Sequence, residues 1–512
     1  MNTKKLKTRL NPTFLKSSLP WSTILDQEGL HWNIISKNNL SDHVFLIITD
    51  HTFVSKNTLE NFVRSGGLVL ISTKKWINLY NSKYKNFSST FLSSNPNSFF
   101  SSIDFVNINH SIKYPIDITI NPIDSKLHIY EKVIGIGKIV LFPFDLDKIY
   151  LDYSTKRQHF YDHRHELPSE VVAKNTKSKV RQLLFLCIRY LYNFKNIPLV
   201  RSNYNPTNYK SIFCFRIDTD FSTKENAIKT NDLCEKYSIP ATWFIETSNI
   251  NMIKNVYKNF KTAEIAFHND RHIIYNDYVL NKSNIESGLN KLKSLGISNL
   301  SGFAAPFGEW NIPLNNVLNN TFSYSSEFGY DYDNLPSYPI IKDRFSNVMQ
   351  IPIHPISIGR LNRSHYSSNE MTEYYSNIIE NKLYNNEPII LYFHPNNQFF
   401  DVLENIFKKI KSRNIGFFTM KEYFDFWVNR IKNKPKYIIL DDKIIIDNFS
   451  KNLEIIYNNK SSLIKKNNFT LSDIFLRSIK KSDAPSDIKK INKKNWRNIL
   501  YDFERYRTKR RM

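Results

Sequence analysis

Alternating apolar and polar stretches in the first part of the chain predict strands and helices that follow one another. His43–Thr49 is a mostly apolar run that predicts a buried strand, and Leu68–Thr73 predicts the next one. Between them, Thr58–Ser65 predicts a short helix that ends before Gly66. Because parallel strands need a crossover connection, usually a helix, this order predicts a parallel sheet.

Two further elements extend this region. Val133–Asp145 predicts a strand or hairpin, and the spacing of apolar residues over Lys177–Leu191 predicts a helix. We therefore expect an α/β domain over residues 25–198, preceded by an extension over 1–24 and followed by a polar linker over 199–210.

Strand and helix patterns resume over residues 211–430, a length that suits a distorted (β/α) barrel lacking one or more units. The pattern then changes, since Tyr437–Asp447 predicts a hairpin and Leu453–Tyr457 predicts a further strand. Residues 431–475 are therefore expected to form a small β-rich segment, followed by a basic tail over 476–512.

The composition fits two or three folded domains. At 512 residues the chain is too long for one ordinary core, and 41% of its residues are hydrophobic. The three cysteines, Cys187, Cys214 and Cys234, form no disulfide or zinc-knuckle pattern, so we expect them to be reduced core residues. The basic amino terminus lacks the apolar stretch of a secretory signal, which predicts a cytoplasmic protein.

The net charge of +24 is unevenly distributed. Residues 431–512 carry 21 Lys and Arg against 9 Asp and Glu, half of the total excess. No helix-turn-helix, zinc-finger or RNA-binding aromatic pattern accompanies this charge, so no specific nucleic-acid partner is expected. We expect the basic tail to contact an anionic membrane from its inner face.

Candidate chemistry lies at the ends of three apolar runs of the barrel region. The runs end in Asp218 and Asp220, in His268, and in His394. In (β/α) barrels the carboxyl ends of the strands carry the active site. His272 follows His268 by four residues, a spacing that lets two imidazoles reach one ion. A carboxylate and two imidazoles for a divalent ion, a second carboxylate as base and a third imidazole as acid suit a mononuclear metal hydrolase.

Each signal has a simpler alternative when it is taken alone. The two-residue period of a strand places Arg216, Asp218 and Asp220 on one face, where burial is costly unless they pair or bind an ion. A structural ion pair with Arg216 would also explain them. A lone His394 would be a core histidine, as would His354 in a similar Ile-His-Pro element. The fixed order of the motifs favours the metal site.

These motifs resemble those of the polysaccharide deacetylase superfamily, also called carbohydrate esterase family 4. Arg216-Ile-Asp218-Thr-Asp220 is similar to the first motif of that family. The resemblance implies that Asp218 is the catalytic base and that Asp220, His268 and His272 hold the metal ion.

The remaining motifs follow the same resemblance. Phe303–Gly308 is similar to the third motif, which implies that Pro306 and Phe307 border the substrate and that the Phe307 N–H stabilises the oxyanion. His394 is similar to the terminal motif and is implied to be the general acid. Trp310 is expected to stack against the sugar, as is Tyr392.

The chain departs from the family pattern in two places. Where the family has an arginine that contacts the base, this chain has Ala304. Arg216 lies two residues before Asp218 on the same strand face, and we hypothesise that it supplies the missing guanidinium. The aspartate that orients the acid histidine has two candidates, Asp331 and Asp333.

The resemblance implies a metal-dependent deacetylase that removes the N-acetyl group of an amino sugar in a cell-surface glycan or its precursor, with Zn²⁺ as the expected ion. Hydrolysis of another C–N bond, in a formamide or a ureide, is one alternative. A catalytically inactive glycan-binding module is another.

Two features of the first half are interpreted as non-catalytic. Residues 25–198 weakly resemble class I glutamine amidotransferase-like domains, but the first cysteine is Cys187, inside the late helix, so the nucleophile is missing and a binding or assembly role is expected. A ligand-rich cluster without a leading apolar strand is expected to be a solvated loop rather than a second metal site; it comprises His159, Asp162, His163, His165 and Glu166.

Overall fold

The computed structural model describes residues 8–478 except 104–105, 161, 163–166, 207, 249, 254–255, 258–259, 261–262 and 441, and it also describes residues 500 and 503. Most of the basic tail expected over 476–512 therefore lies outside the described residues. In the described part, no helix is both long enough and apolar enough to cross a membrane.

The chain divides into two compact units. The first comprises Met1–Asp152, Asn175–Thr207 and Val428–Pro485, and the second comprises Tyr153–Lys174, Asn208–Trp427 and Ser486–Met512. This grouping differs from the expected boundaries in two places, because residues 153–174 join the second unit and the β-rich carboxyl-terminal segment joins the first.

The elements of the amino-terminal part are, in chain order, β1 (Thr8–Arg9), β2 (Thr13–Phe14), α1 (Leu19–Gln27), β3 (Asn33–Ile34), β4 (Phe45–Ile48), α2 (Lys56–Arg64), β5 (Leu68–Ser72), α3 (Thr73–Tyr80), β6 (Tyr84–Leu92), β7 (Val106–Pro115), β8 (Asn121–Asp124), β9 (Ile129–Ile134), β10 (Gly137–Phe142), α4 (Leu146–Tyr150), β11 (Thr155–His159), β12 (Ser169–Ala173), α5 (Lys177–Phe194) and β13 (Leu199–Ser202).

A mostly parallel sheet forms the centre of the first unit. Its strand order is β3-β2-β4-β5-β10-β9-β8, and β4, β5 and β10 run parallel. Helix α2 begins after Ser55, whose hydroxyl accepts a hydrogen bond from the Thr58 N–H. The predicted parallel sheet is confirmed, and Val133–Asp145 contains one strand of an antiparallel hairpin formed by β9 and β10. Cys187 is buried within α5.

The elements that follow are β14 (Ser211–Asp218), α6 (Lys224–Lys236), β15 (Ala241–Ile245), α7 (Ile250–Ile253), β16 (Glu264–Phe267), α8 (Tyr278–Ser294), β17 (Gly302–Phe303), α9 (Ile312–Leu318), β18 (Tyr324–Ser325), β19 (Ile340–Ile341), β20 (Arg344–Phe345), β21 (Met349–Gln350), α10 (Ile358–Arg363), α11 (Ser368–Tyr384), β22 (Ile389–Phe393), α12 (Phe400–Lys411), β23 (Ile415–Phe418) and α13 (Met420–Lys432).

A parallel sheet also forms the second unit, and it curls into half of a barrel, which confirms the expected fold class. Its strand order is β21-β18-β17-β16-β15-β14-β22, with β23 paired to β14. The central strand β14 pairs in parallel with β15 and β22. The carboxyl ends of these strands therefore meet at one edge of the sheet.

The carboxyl-terminal strands are β24 (Lys436–Leu440), β25 (Lys443–Asp447), β26 (Leu453–Tyr457), β27 (Lys460–Leu463), β28 (Asn468–Thr470) and β29 (Arg477–Ser478). The predicted hairpin is confirmed, because β24 and β25 pair antiparallel. Strand β24 also pairs with β1, and β26 pairs with β13. These pairings explain why the segment belongs to the first unit.

The expectation of a loop over residues 159–166 is contradicted for His159, which ends a strand, while Phe160 and Asp162 lie in no helix or strand. Thr155–His159 forms strand β11, which pairs antiparallel with β12, and Phe160 packs against the core of the second unit. Asp162 accepts a hydrogen bond of 2.7 Å from the Tyr366 hydroxyl. The other members of the cluster, His163, His165 and Glu166, lie outside the described residues. The strand was not predicted from the sequence, because Thr155–His159 is polar and contains no apolar run.

Candidate active site

The central strand β14 presents two chemically different faces. Phe213, Phe215 and Ile217 lie in the main apolar core of the second unit. Arg216 and Asp218 alternate with them and are also buried. Since side chains alternate across a strand, the apolar face anchors the strand and aims the polar residues at the opposite side.

Three side chains come together at the carboxyl edge of the sheet. The Nε2 atom of His268 lies 3.4 Å from Oδ1 of Asp220, and the Nε2 atom of His272 lies 3.6 Å from Oδ2 of Asp220. Bonds of about 2.0–2.1 Å to a tetrahedral zinc ion separate neighbouring ligand atoms by about 3.3 Å. The three side chains therefore have the spacing of a metal site.

Two buried atoms of this group have no hydrogen-bond partner among the described residues. They are Nε2 of His268 and Oδ1 of Asp220. The other ring nitrogen of His268, Nδ1, lies 2.9 Å from the Ala304 carbonyl oxygen. A carbonyl only accepts, so Nδ1 carries a proton, and in the neutral ring Nε2 then keeps the lone pair that binds a metal. Leaving such atoms unpaired is costly, and a cation between them removes that cost. The residues thus fit a divalent metal ion.

The backbone around this group is strained. Asn269, His272 and Phe307 have φ angles of 78°, 48° and 58°, in the left-handed region that non-glycine residues seldom adopt. Phe221, next to Asp220, has a φ of 56°. Such conformations cluster at ligand-binding sites, where the surrounding structure maintains them.

Arg216 contacts Asp218 with two parallel hydrogen bonds. Its Nε donates to Oδ1 and its Nη2 donates to Oδ2, each over 2.6 Å. Its Nη1 donates to the Ser326 carbonyl oxygen. Both side chains are at most 2% exposed. The guanidinium therefore contacts Asp218. The hypothesis that Arg216 replaces the arginine missing at Ala304 requires this contact.

His394 faces both carboxylates. Its Nε2 lies 3.9 Å from Oδ2 of Asp218 and 3.6 Å from Oδ1 of Asp220. The residue directly follows β22 and its side chain is 21% exposed, so it reaches the pocket rather than the core. The third imidazole is thus open to a ligand and adjacent to Asp220, His268 and His272, which together are called the metal group.

The electrostatics keep the two aspartates ionised. Burial alone would raise the pKa of Asp218, but the Arg216 guanidinium, with His268 and His394, outweighs this effect and holds the pKa below its ordinary value. Burial opposes ionisation of Asp220 as well, yet the surrounding histidines hold its pKa well below the usual range. An ionised carboxylate is the form that binds a cation or accepts a proton.

His272 behaves differently from the aspartates. Burial is the largest effect and lowers the pKa of His272 to about 4, because the attraction of Asp220 is offset by the neighbouring histidines. A neutral imidazole is the form that ligates a metal. The ring of His272 also packs against those of Phe307 and Phe221, at centroid distances of 4.8 and 5.4 Å.

Asp333, one of the two candidates for the aspartate that orients His394, pairs with His354. Its Oδ2 lies 2.9 Å from Nδ1 of His354, and Lys382 lies 3.5 Å from its Oδ1. The other candidate, Asp331, accepts hydrogen bonds from Asn334 and from the Tyr332 N–H. His354 is a buried core histidine that also contacts Tyr374, as its Ile-His-Pro element suggested.

The expected substrate-binding residues separate into two groups. Phe307 and Tyr392 line the pocket at the metal group. Trp310 lies in a satellite aromatic cluster instead, where its ring centroid is 4.9 Å from that of Tyr330 and 5.4 Å from that of Tyr153. Pro306 is buried at the start of a short 3-10 turn. An aromatic residue near a motif gives no signal for which cluster it joins.

Several pocket residues were not identified from the sequence. Glu170 of β12 and Arg360 of α10 are both 3% exposed and form a two-bonded ion pair, in which Nη2 donates to Oε1 over 2.8 Å. Arg271, Arg363 and Phe328 also line the cavity. Glu170 and Arg360 are 190 residues apart, so no local pattern could have revealed the pair.

Glu327 was also not identified from the sequence, and its carboxyl group interacts electrostatically with Arg216, the partner of Asp218. It is fully buried; its Oε1 accepts a hydrogen bond of 3.2 Å from the Ala305 N–H, and its Oε2 has no hydrogen-bond partner in the described part of the chain. Burial raises the pKa of Glu327 to about 7, although a Ser325 hydrogen bond and the Arg216 charge oppose this. Glu327 therefore changes between its protonated and ionised forms near neutral pH.

A separate acidic group lies in the first unit. Asp50, Asp145 and Asp147 place one oxygen each within 4.8 Å of one another. Lys74 lies 3.6 Å from Asp50 and 3.5 Å from Asp145, and His51 lies 2.9 Å from Asp147. The lysine already supplies a cation at this position.

Comparison with known proteins gives matches among solved structures. No protein-family model and no curated protein matches the chain. The chain resembles polysaccharide deacetylases. A protein described as a polysaccharide deacetylase from Mycobacterium smegmatis matches with 13% identity and a TM-score of 0.38, over 45% of this chain and 94% of that chain.

Two further matches have similar coverage. The peptidoglycan deacetylase PdaC from Bacillus subtilis matches with 11% identity and a TM-score of 0.29, over 45% of this chain and 96% of that chain. The Puue allantoinase matches with 13% identity and a TM-score of 0.38, over 44% of this chain and 93% of that chain.

Proposed function

We propose that this protein is a metal-dependent hydrolase that removes the N-acetyl group of an amino sugar in a glycan or glycan precursor. The observation that supports it is the group formed by Asp220, His268 and His272, with unpaired buried ligand atoms at metal-site spacing. Asp218 and His394 lie beside this group. Zn²⁺ suits one carboxylate and two imidazoles.

A bound divalent ion supplies Lewis acidity, which polarises an amide carbonyl and makes a water molecule more acidic. Asp218 takes the proton from the attacking water, because Arg216 keeps its carboxylate ionised and fixed in orientation. Bidentate pairing also prevents Asp218 from turning away from the pocket.

His394 gives a proton to the departing amine. An amine leaves poorly unless it is protonated, so the reaction needs an acid as well as a base. The pocket position of His394 and its distance of 3.9 Å from Asp218 support this role, since the two groups border the same small volume. Tyr392 packs edge-on against the His394 ring at 5.3 Å and limits its rotation.

The cavity suits a sugar. Its volume is about 610 Å³, and its apolar wall is formed by four aromatic side chains: Phe221, Phe307, Phe328 and Tyr392. Pockets of about 300–1,000 Å³ hold small ligands. Aromatic faces pack against the apolar faces of sugar rings, while the polar edge of the pocket binds hydroxyl groups.

The test is acetate release from a panel of N-acetylated sugars by the zinc-loaded chain. We expect release that is lost with a chelator and falls about a hundredfold or more in Asp218→Asn, because the base is removed. Asp343→Asn, an exposed carboxylate of the same unit, is the matched control.

Other results would contradict the proposal in specific ways. Activity that survives the chelator would exclude the metal-dependent mechanism. Release of formate or ring opening of a ureide, without acetate release, would establish the alternative C–N hydrolase. Sugar binding without turnover, in a chain that holds no metal, would establish a binding module.

A further inference from the structure

Glu327 is a buried carboxyl group that the mechanism above does not use. It follows β18 by two residues, it is fully buried, and the described lining of the cavity does not include it. Burial outweighs the Ser325 hydrogen bond and the Arg216 charge and raises the pKa of Glu327 to about 7. The fold therefore keeps an ionisable group where its charge is costly, so stability alone does not explain its presence.

The peptide group between Ala304 and Ala305 connects Glu327 to the metal group. Its N–H donates to Oε1 of Glu327 over 3.2 Å, and its carbonyl oxygen accepts from Nδ1 of His268 over 2.9 Å. This peptide bond is trans, so its N–H and C=O point in opposite directions. Glu327 and His268 therefore hold the same planar group from opposite sides. Both alanines are fully buried, so water does not compete for these hydrogen bonds.

This arrangement couples the two side chains electronically. Hydrogen bonds in a chain polarise one another, and both bonds here polarise the peptide group in the same sense. A carboxylate that accepts the Ala305 N–H increases the negative charge on the Ala304 carbonyl oxygen, which then holds the Nδ1 proton of His268 more firmly. A histidine whose Nδ1–H is held in this way has a fixed ring orientation and a more basic Nε2 for a metal ion.

The backbone around Glu327 is fixed by contacts that do not involve its side chain. The Ser326 N–H donates to the Phe303 carbonyl oxygen over 3.0 Å. The Ser326 carbonyl oxygen accepts a hydrogen bond from Nη1 of Arg216. Gln350 donates through Nε2 to the backbone carbonyl oxygen of Glu327 over 2.7 Å. Variants of the Glu327 side chain are therefore expected to keep the local fold.

We propose that Glu327 is a positioning residue that acts on His268 through the Ala304–Ala305 peptide group and thereby strengthens metal binding. The proposal rests on the metal-dependent function proposed above and adds a residue to its machinery. Glu327 is not a catalytic residue, because the peptide group and His268 separate it from the metal. Loss of such an outer partner typically weakens metal affinity or activity by about 10–100-fold.

The experiment measures the zinc affinity of the full chain at pH 8 by competition with a chromophoric chelator. We expect Glu327→Gln to weaken zinc binding by about tenfold, because glutamine lacks the negative charge. Glu327→Ala also removes the acceptor and should weaken binding by up to about a hundredfold. Glu387→Gln is the matched control, since it removes another buried carboxylate of the same unit, one that pairs with Lys382. Its zinc affinity is expected to equal that of the wild type.

A purely structural role of Glu327 would give a different pattern. Glu327→Gln removes a buried charge at pH 8 and should raise the stability of the metal-free chain, so general loosening would not explain weaker zinc binding in this variant. Co²⁺ in place of zinc gives visible absorption bands that report on the ligands. We expect these bands to shift in Glu327→Gln and to stay unchanged in Glu387→Gln.

The possible results separate this inference from the proposed function. Zinc affinity that is unchanged in both Glu327 variants would overturn the inference alone, as would an equal loss of affinity in Glu387→Gln. A wild-type chain that binds no divalent ion would refute the inference and the proposed function together. Weaker zinc binding in the Glu327 variants of a chain that releases no acetate would support the inference and refute the deacetylase.

Discussion

Arg216 and Asp218 form a bidentate pair within a single strand, with Nε to Oδ1 and Nη2 to Oδ2 both at 2.6 Å. Residues two apart on a strand share a face, so the pair needs no contact with another element to be aligned. Ser326 fixes the remaining nitrogen through its carbonyl oxygen. This geometry agrees with the hypothesis that Arg216 supplies the guanidinium that the family pattern would place at Ala304.

We predict that Arg216→Met lowers turnover by about a hundredfold or more while metal content is preserved, because the base loses its orientation and its counter-charge. Removing one partner of a buried ion pair also costs about 3–5 kcal/mol of stability. Arg216→Lys, which keeps the charge without the two parallel bonds, provides a better-folded comparison. Wild-type turnover in both folded variants would contradict the role.

Metal binding should stabilise the second unit. Zinc at about 100 times its Kd is expected to raise the free energy of unfolding by about 2.7 kcal/mol, as measured by the rise in melting temperature. His268→Ala should abolish this rise, because it removes a ligand. His365→Ala, an exposed histidine of the same unit, is the control. A zinc-dependent rise that persists in His268→Ala would place the ion elsewhere.

Glu327 should make stability depend on pH. Its pKa in the folded chain is about 7, against an ordinary value of 4.5. Folding therefore favours the protonated form of Glu327. Its contribution to the free energy of unfolding is fully present below about pH 4.5 and is lost as the pH rises through 7. Between low and high pH, this contribution to the free energy of unfolding changes by about 3 kcal/mol at most.

Glu327→Gln tests this dependence, because glutamine has a similar shape and does not ionise. We expect its melting temperature to exceed that of the wild type at pH 8 and to approach it at pH 5. Glu286→Gln, on the exposed face of α8, should differ from the wild type in melting temperature by the same small amount at pH 5 and at pH 8. A Glu327→Gln effect that does not change with pH would show that burial of the charge is not the cause.

The Glu170–Arg360 pair should be strongly coupled. Each single change, Glu170→Gln or Arg360→Met, leaves a buried group without its partner and should cost about 3–5 kcal/mol. The double variant should lose less than the sum of the two, as measured by a double-mutant cycle of unfolding free energies. Additive losses would mean that the hairpin of β11 and β12 is held by other contacts.

The sequence allowed the elements and the chemistry of the site to be predicted because both have local signals. Apolar runs that end in Asp218, His268 and His394 identify strands and their functional ends together. The pair of Arg216 and Asp218 was also predictable, since strand periodicity alone aligns them. The polar strand β11 was missed, because no apolar run marks it.

The partners of side chains far apart in the chain could not be predicted. Asp333 was a candidate partner for His394, yet it pairs with His354. Only the packing of the segment between β18 and β19 against the segment that follows β21 decides between them. Trp310 joins Tyr330 for the same reason.

By itself, the sequence determined which residues end the strands and therefore which chemistry is available, since hydrophobic periodicity and backbone alternation are local properties. Only the tertiary structure decided that Glu170 meets Arg360 and that Arg271 and Arg363 share a cavity with the metal group. Those contacts depend on how distant segments fill space around a common core, and no interval along the chain encodes that arrangement.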